Sequence, residues 1–277
     1  MTLLSSSETN LFNQNLPLPL RINLHGGPGS GKSTLAHSVL SMLKEHGINA
    51  EFVQEPAKLA AYRKTPVQEM MIQYRYLTQQ IEAEYNWITS GVDVVVNESP
   101  VNLILFYANT LRNDLLKHKI KEKNLDIDLN TVYWEEPTDF LKYDFPIQVN
   151  LRGFPTYDSF RQLANSFNSV TTSIDFYVNR DVESYSEVGR YQSLEEAVAL
   201  DTELMSFLNM NSIHEIGVVQ MGDRMSVISA LLNSSPILAS KFTESEKYKG
   251  LNNVRSLAHL VREHTNRTAS TDSGNVQ

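Results

Sequence analysis

A glycine-rich segment at residues 25–36, HGGPGSGKSTLA, places a lysine and two hydroxyl residues directly behind four closely spaced glycines. The spacing Gly-x-x-x-x-Gly-Lys-Ser, which ends at Ser33, is that of a phosphate-binding loop. Glycines allow successive backbone N–H groups to turn toward one anion. Lys32 would add a positive charge for the β- and γ-phosphates, and the Ser33 hydroxyl would hold Mg²⁺. We therefore expect a nucleotide to bind to nine consecutive residues: Gly26, Gly27, Pro28, Gly29, Ser30, Gly31, Lys32, Ser33 and Thr34.

Two acidic residues follow predicted strands farther along the chain. Glu55 comes after the strand predicted at 48–53, and Glu98 comes after the apolar run VDVVVN. Parallel strands present their carboxyl ends at the edge of the sheet where ligands bind, so both side chains are expected near the loop. Glu55 could accept the proton of an acceptor hydroxyl or orient that hydroxyl, and Glu98 could hold Mg²⁺ together with Ser33. The alternative for each residue is a charge that only marks the end of a strand.

Two arginines bracket the polar segment DVESYSEVG, Arg180 before it and Arg190 after it. A loop between two arginines could close over a nucleotide and neutralise charge on a transferred phosphoryl group. The alternative is a pair of surface arginines. The amide of Gln79 could read the edge of a nucleobase, although a glutamine on a helix is more often a solvated surface group. This reasoning gives four candidate catalytic residues: Lys32, Glu55, Arg180 and Arg190.

An alternation of strands and helices must position these residues. A short apolar strand precedes the glycine loop and an amphipathic helix follows it, which is the order that a phosphate-binding loop needs. The alternation predicts a three-layer α/β fold with a five-stranded, mostly parallel sheet and helices on both faces. The strands are expected at 21–25, 48–53, 92–96, 173–180 and 214–220.

The composition sets limits on the class of protein. With 277 residues, 41% apolar and 20% charged, the chain is expected to be globular. A polar N-terminal extension is predicted at 1–20, a folded domain at 21–235, and a basic helix with a disordered tail at 236–277. The sequence contains no cysteine, which excludes disulfides, thiolate metal sites and thiol catalysis. No signal peptide or membrane span is expected, and a cytoplasmic location fits.

The net charge of −8 argues against a surface that coats nucleic acid. Two local basic tracts could still contact a phosphate backbone, although such tracts are usually the solvated ends of helices. The seven histidines form no close cluster, so a dedicated transition-metal site is not expected. The first tract contains Lys117, Lys119, Lys121 and Lys123, and the second contains Lys247, Lys249, Arg255, Arg262 and Arg267.

Three segments together resemble phage-encoded P-loop kinases of the nucleoside and nucleotide type: GGPGSGKSTLA, VVVNESPVNLILFYA and FYVNRDVESYSEVGRYQSLEEAVALD. The sequence is most similar to bacteriophage 5-hydroxymethyluracil DNA kinases. The resemblance implies a P-loop NTPase kinase-like fold that uses ATP and Mg²⁺ in the host cytoplasm. It also implies phosphorylation of the hydroxymethyl group of the modified base in DNA, during thymidine hypermodification. The pair Glu55-Pro56 after the second predicted strand also resembles deoxynucleoside kinases, and this resemblance implies that Glu55 is the catalytic base.

The chain departs from that resemblance in two places. Such kinases usually carry aspartate before the Ser-Pro pair, where this sequence has Glu98, and the segment 134–169 matches no pattern of the family. Two other functions therefore stay open. One is a kinase of a free nucleoside or nucleoside monophosphate, and the other is a P-loop NTPase module that regulates another process.

Overall fold

The computed structural model describes residues 18–58, 70–122, 157–181, 183, 193–211 and 216–248. Five strands and seven helices with defined bounds follow one another along this part of the chain, and residues 56–58 are also helical. The bounded strands and helices are β1 (Leu20–His25), α1 (Lys32–Glu45), β2 (Ala50–Val53), α2 (Met70–Thr89), β3 (Val94–Asn97), α3 (Val101–Glu122), α4 (Tyr157–Ser169), β4 (Thr172–Asn179), α5 (Leu194–Asn211), β5 (Ile216–Gln220), α6 (Arg224–Ser234) and α7 (Pro236–Tyr248).

The five strands form one sheet in the order β2-β3-β1-β4-β5, and every neighbouring pair is parallel. The strand that precedes the glycine loop therefore lies at the centre. Asn23 on β1 lies opposite Asn97 on β3 and Asp175 on β4. The predicted fold class is confirmed, because the sheet has five parallel strands with helices on both faces and the glycine loop joins β1 to α1.

Successive residues of β1 point to opposite faces of the sheet, as the period of two in a strand requires. Leu20, Ile22 and Leu24 are fully buried in an apolar cluster with residues of α1, α6 and α7. The other face is covered by α2, α3, α4 and α5, whose buried side chains, such as Phe160 and Leu204, form a second apolar cluster. Two helical layers therefore enclose the sheet.

The last described helix, α7, packs against the first of these clusters. Leu238 and Phe242 are buried in it, and the Lys241 ammonium forms an ion pair with Asp93 at the start of β3, with Nζ and Oδ1 2.6 Å apart. The basic helix predicted within 236–277 was expected outside the folded domain, whereas α7 begins at Pro236 and packs against the core of that domain. The division of the chain into an extension, a domain and a tail stays a prediction. Within the described ranges, no helix combines the length and apolar character that a membrane crossing requires.

Candidate functional site

The phosphate loop, residues 26–34, lies between β1 and α1 at the carboxyl edge of the sheet. Gly31 is the N-cap of α1 and has a left-handed backbone conformation, with φ at 93°. An L side chain is strained there, and a Cβ on Gly31 would also collide with the side chain of Met221. The loop therefore leads directly into the first turn of α1, where the backbone N–H groups and the helix dipole favour an anion.

Lys32 lies inside this loop. Its Nζ donates hydrogen bonds to the carbonyl oxygens of Gly26 and Gly27, at 2.7 and 3.0 Å, and only 7% of the residue is exposed. Because the ammonium has already left bulk water, its attraction for a nearby phosphate is weakly screened. The structure thus places the predicted phosphate-binding lysine beside the backbone that would surround the anion.

Ser33 and Glu98 come together although 65 residues separate them in the sequence. The hydroxyl of Ser33 donates a hydrogen bond to Oε2 of Glu98, and the backbone N–H of Glu55 donates to Oε1 of the same carboxylate at 3.0 Å. Glu98 is 1% exposed, so this carboxylate depends on its protein partners for solvation. One buried side chain therefore links the phosphate loop to the segment that carries Glu55.

A cation already lies beside this pair. The Nζ of Lys58 is 2.8 Å from Ser33 Oγ and 3.6 Å from Glu98 Oε2. A hydroxyl and a carboxylate are the hard oxygen donors that Mg²⁺ prefers, and Mg²⁺ commonly binds through one or two protein groups plus phosphates. Ser33 and Glu98 thus fit the predicted ion. Among the described residues, no group of three His, Cys, Asp or Glu side chains forms a separate metal cluster.

Glu55 lies two residues beyond the end of β2 and is partly exposed. The negative charge of the Glu55 carboxylate acts on the hydroxyl group of Tyr107 on α3. Burial raises the pKa of the Tyr107 hydroxyl well above its ordinary value, and the Glu55 and Asp201 carboxylates raise it further. The phenol therefore stays protonated and remains a hydrogen-bond donor. The edge next to the phosphate loop thus carries both a carboxylate that can accept a proton and a neutral phenol.

Arg180 follows β4 and points into the protein rather than into solvent. Its Nε donates to Asp201 Oδ2 on α5 at 2.7 Å, and its Nη1 donates to the carbonyl oxygen of Pro28 at 2.6 Å. Asp201 also accepts a hydrogen bond from the Gly27 backbone N–H at 3.0 Å. The structure thus joins Arg180 to the phosphate loop, through an aspartate that the sequence analysis did not identify.

Other candidates of the sequence analysis lie elsewhere or outside the described residues. Gln79 is exposed on α2, whereas Gln73 and Gln80 of the same helix are buried. Arg190 lies outside the described residues, and its catalytic role stays a prediction. The structure likewise gives no side-chain position for any residue of the two basic tracts.

The sheet face under α2–α5 carries a second feature that the sequence analysis missed. We call it the polar seam: the side chains of Arg21, Asn23 and His25 on β1, with their partners on β3, β4 and α2. Arg21 Nη1 donates to Glu84 Oε2 at 3.0 Å, and the two side chains are 1% and 0% exposed. Burial raises the pKa of Glu84, although the charge of Arg21 opposes that rise. Gln80 Nε2 also donates to Glu84, at 2.7 Å.

The upper part of the seam surrounds Asp175 on β4. Its Oδ1 accepts a hydrogen bond from Asn23 Nδ2 at 3.0 Å and lies 2.8 Å from His25 Nε2, while Ser173 donates to Oδ2 at 2.9 Å. Burial by itself would raise the pKa of Asp175, but the bonds from His25, Asn23 and Ser173 outweigh it and hold the pKa below its ordinary value. Asp175 is thus held as an ionised carboxylate inside the protein. It lies beside His25, the residue that precedes the phosphate loop.

No protein-family model and no curated protein sequence matches the chain. Among solved structures it is similar to deoxyadenosine kinase from M. mycoides with bound dCTP, at 16% identity and a TM-score of 0.42, over 77% of this chain and 99% of that one. The structure of deoxyadenosine kinase from M. mycoides with bound dATP aligns at 17% identity and a TM-score of 0.37, over 77% and 100% of the two chains. At this level of similarity, the activity of these enzymes is not carried over to this chain.

Proposed function

We propose that this protein is an ATP-dependent phosphotransferase that phosphorylates a hydroxyl group of a nucleoside-type acceptor. The observation that carries the proposal is the chain of contacts from Ser33 through Glu98 to the backbone of Glu55. These contacts support the proposal because they put the backbone of Glu55 beside the glycine loop, where Glu98 would hold a metal ion and the Glu55 side chain would serve an acceptor.

In the proposed reaction, Lys32 and the backbone N–H groups of the phosphate loop bind the β- and γ-phosphates of ATP. Glu55 accepts the proton of the acceptor hydroxyl, and the acceptor oxygen forms a bond to the γ-phosphorus. The bond between that phosphorus and the β–γ bridging oxygen breaks, so that ADP leaves with the bonding electron pair. The products are ADP and the phosphorylated acceptor, and the proton on Glu55 is released to water.

Ser33 and Glu98 would hold Mg²⁺, which, when bound, neutralises charge on the phosphates. Arg190 follows β4 in the sequence and is proposed to stabilise charge on the transferred phosphoryl group, because a loop bracketed by two arginines could close over the nucleotide. This role predicts that Arg190→Ala lowers kcat strongly and changes the Kd for ATP little, because the charge spreads over the γ-phosphoryl oxygens only in the transition state.

The proposed acceptor is the hydroxymethyl group of 5-hydroxymethyluracil in DNA, which rests on the resemblance of the three sequence segments to phage DNA kinases. A free nucleoside or nucleoside monophosphate is the second candidate, and the net charge of −8 favours it because a polyanion is repelled at long range. The two acceptors differ in salt dependence. Binding to polymer DNA releases counterions, so transfer to DNA should fall steeply as salt rises, whereas transfer to a free nucleoside should not.

One experiment separates these acceptors. Purified protein is incubated with γ-labelled ATP and Mg²⁺, and three acceptors are offered side by side: DNA that contains 5-hydroxymethyluracil, free nucleosides, and nucleoside monophosphates. Unmodified DNA of the same sequence is the control. Label on the modified DNA alone supports the proposed acceptor, and label on a small acceptor alone replaces it with the second candidate. ATP hydrolysis without any labelled acceptor would contradict the phosphotransferase and favour an NTPase module.

A further inference from the structure

The carboxylate of Asp201 connects α5 to the phosphate loop. Its Oδ1 accepts a hydrogen bond from the backbone N–H of Gly27 at 3.0 Å. Arg180 donates to both oxygens of the same carboxylate, from Nε at 2.7 Å and from Nη2 at 3.2 Å. The remaining nitrogen, Nη1, donates to the carbonyl oxygen of Pro28 at 2.6 Å. One ion pair therefore holds two consecutive residues of the loop, one through its N–H and the other through its carbonyl.

The geometry of this ion pair makes it rigid. A guanidinium that faces a carboxylate with two parallel N–H groups is fixed in orientation as well as in distance. The side chain of Arg180 is 4% exposed and that of Asp201 is 17% exposed, so dissolved salt screens their attraction only weakly. All three nitrogens of the Arg180 guanidinium donate to acceptors within the protein, and Nη2 also donates to the Ala197 carbonyl oxygen at 3.4 Å.

The ion pair also explains why residue 27 is glycine, although the phosphate-loop pattern does not specify the residue at this position. The pattern Gly-x-x-x-x-Gly-Lys requires glycine at 26 and 31, and any residue satisfies it at 27. A Cβ on Gly27 would lie 2.8 Å from Arg180 Nη2 and would collide with the Asp201 carboxylate. The absence of a side chain at this position therefore allows the ion pair to reach the loop backbone.

We propose that Asp201 is a positioning residue for the phosphate loop, acting through the Gly27 N–H and through Arg180. It holds the loop in the shape that receives the nucleotide phosphates before a nucleotide arrives. The inference rests on the proposed function, and it changes the predicted role of Arg180. Because its guanidinium donates hydrogen bonds to Asp201 and Pro28, Arg180 orients the loop and does not contact the transferred phosphoryl group.

The test measures ADP binding by titration calorimetry, so that no acceptor is needed. Asp201→Asn keeps an oxygen for the Gly27 N–H but removes the charge that fixes the guanidinium. Arg180→Lys keeps a positive charge but removes the parallel N–H groups that reach both Asp201 and Pro28. Each variant is expected to raise the Kd for ADP at least tenfold. The double variant should raise it no further than the weaker-binding single variant, because both changes break the same connection.

A matched control comes from the other end of the sheet. Asp93 forms an ion pair with Lys241 in which Nζ lies 2.6 and 2.8 Å from the two carboxylate oxygens. It lies at the start of β3, away from the phosphate loop. Asp93→Asn should lower the melting temperature and leave the Kd for ADP unchanged. If Asp201→Asn behaves in the same way, with a lower melting temperature and an unchanged Kd, the ion pair only stabilises the fold and the inference is overturned.

The same measurements separate this inference from the proposed function. If the wild-type protein binds ADP but transfers phosphate to no acceptor, the phosphotransferase is wrong, and a weaker affinity of Asp201→Asn for ADP still supports the positioning role. If the wild type transfers phosphate and Asp201→Asn binds ADP equally well, only the positioning role fails. Should Asp201→Asn not fold, Arg180→Lys decides the question, because an unchanged Kd for ADP in that variant also overturns the inference.

Discussion

The ammonium of Lys58 donates a hydrogen bond to the hydroxyl of Ser33, with Nζ and Oγ 2.8 Å apart, and it lies 3.6 Å from Glu98. A positive charge therefore lies beside the two side chains that are proposed to hold Mg²⁺, which are themselves joined by a hydrogen bond. Two cations cannot share this position at low cost, because like charges at short range repel strongly where water is scarce. Binding of a divalent ion must then displace Lys58.

Lys58→Met should therefore tighten the binding of Mn²⁺, used as a probe for Mg²⁺, to the nucleotide-free protein by several-fold. The measurement is titration of free Mn²⁺ followed by electron paramagnetic resonance. Lys44→Met is the matched control, because Lys44 forms an exposed ion pair with Glu51. Equal Mn²⁺ affinity in the wild type and in Lys58→Met would show that the ammonium does not compete for the site.

Lys32→Ala should weaken nucleotide binding. The variant removes a charge-assisted contact to phosphate, which is worth about 1.5–3 kcal/mol, so that the Kd for ATP should rise at least tenfold. Because Nζ also bonds to the carbonyl oxygens of Gly26 and Gly27, the melting temperature is recorded alongside. A folded variant with the affinity of the wild type would contradict the phosphate-loop assignment.

Glu55→Gln should lower the transfer rate without a comparable loss of ATP affinity. The amide cannot accept the proton of the acceptor hydroxyl, and general-base catalysis contributes roughly 10²–10⁴-fold. Steady-state kinetics with saturating ATP gives kcat, and calorimetry gives the Kd for ATP. Glu51→Gln, on the neighbouring strand β2 and paired only with Lys44 among the ion pairs of the described residues, is the control. If both variants keep the kcat of the wild type, Glu55 is not the base.

Arg21→Met should strongly destabilise the fold. It leaves the Glu84 carboxylate, which is fully buried, without its cation, and breaking a buried pair in this way typically costs about 3–5 kcal/mol. Urea unfolding of the wild type and the variant gives the difference in the free energy of unfolding. The double variant Arg21→Met/Glu84→Gln should recover part of the loss, since it leaves no isolated charge. Lys44→Met, at an exposed pair, should lose less than about 1 kcal/mol.

Asp175 should contribute a stability that depends on pH. Its pKa is lower in the folded protein than the ordinary value of 3.8. The folded state therefore favours the ionised form, and the stabilisation is present above pH 3.8 and is lost as the pH falls through the folded pKa. The difference in the free energy of unfolding between the wild type and Asp175→Asn should thus shrink below about pH 4. A difference that stays constant with pH would contradict this account.

Much of the fold and part of the site follow from local patterns in the sequence. The five strands were predictable because apolar runs end at turn residues, and the phosphate loop was predictable because its glycine spacing is specific. Glu55 and Glu98 could be placed at one edge because parallel strands expose their carboxyl ends together. The structure brings their segments into contact through the hydrogen bond from the Glu55 backbone N–H to the Glu98 carboxylate.

The contacts around the phosphate loop that the sequence did not reveal join residues that are far apart in the chain. Asp201 bonds to Gly27 across 174 residues, and no local periodicity marks an aspartate on a helix as a partner of a loop. Lys58 follows Glu55 by three residues, but nothing in the pattern indicates that it reaches Ser33. In α7, Leu238 and Phe242 are spaced for one helical face, yet the change in composition after Pro236 suggested that the folded domain ends there and that the predicted basic helix lies outside it.

The alternation of side chains along β1 has a consequence for how the sheet assembles. Arg21, Asn23 and His25 find hydrogen-bonding partners only on the α2–α5 face, and Leu20, Ile22 and Leu24 fill the apolar cluster on the other. A slip of the strand by one residue would exchange the two sets, leaving a guanidinium, an amide and an imidazole among hydrocarbon side chains. The central strand therefore has a single acceptable alignment with its neighbours, and sheets with a shifted β1 are disfavoured.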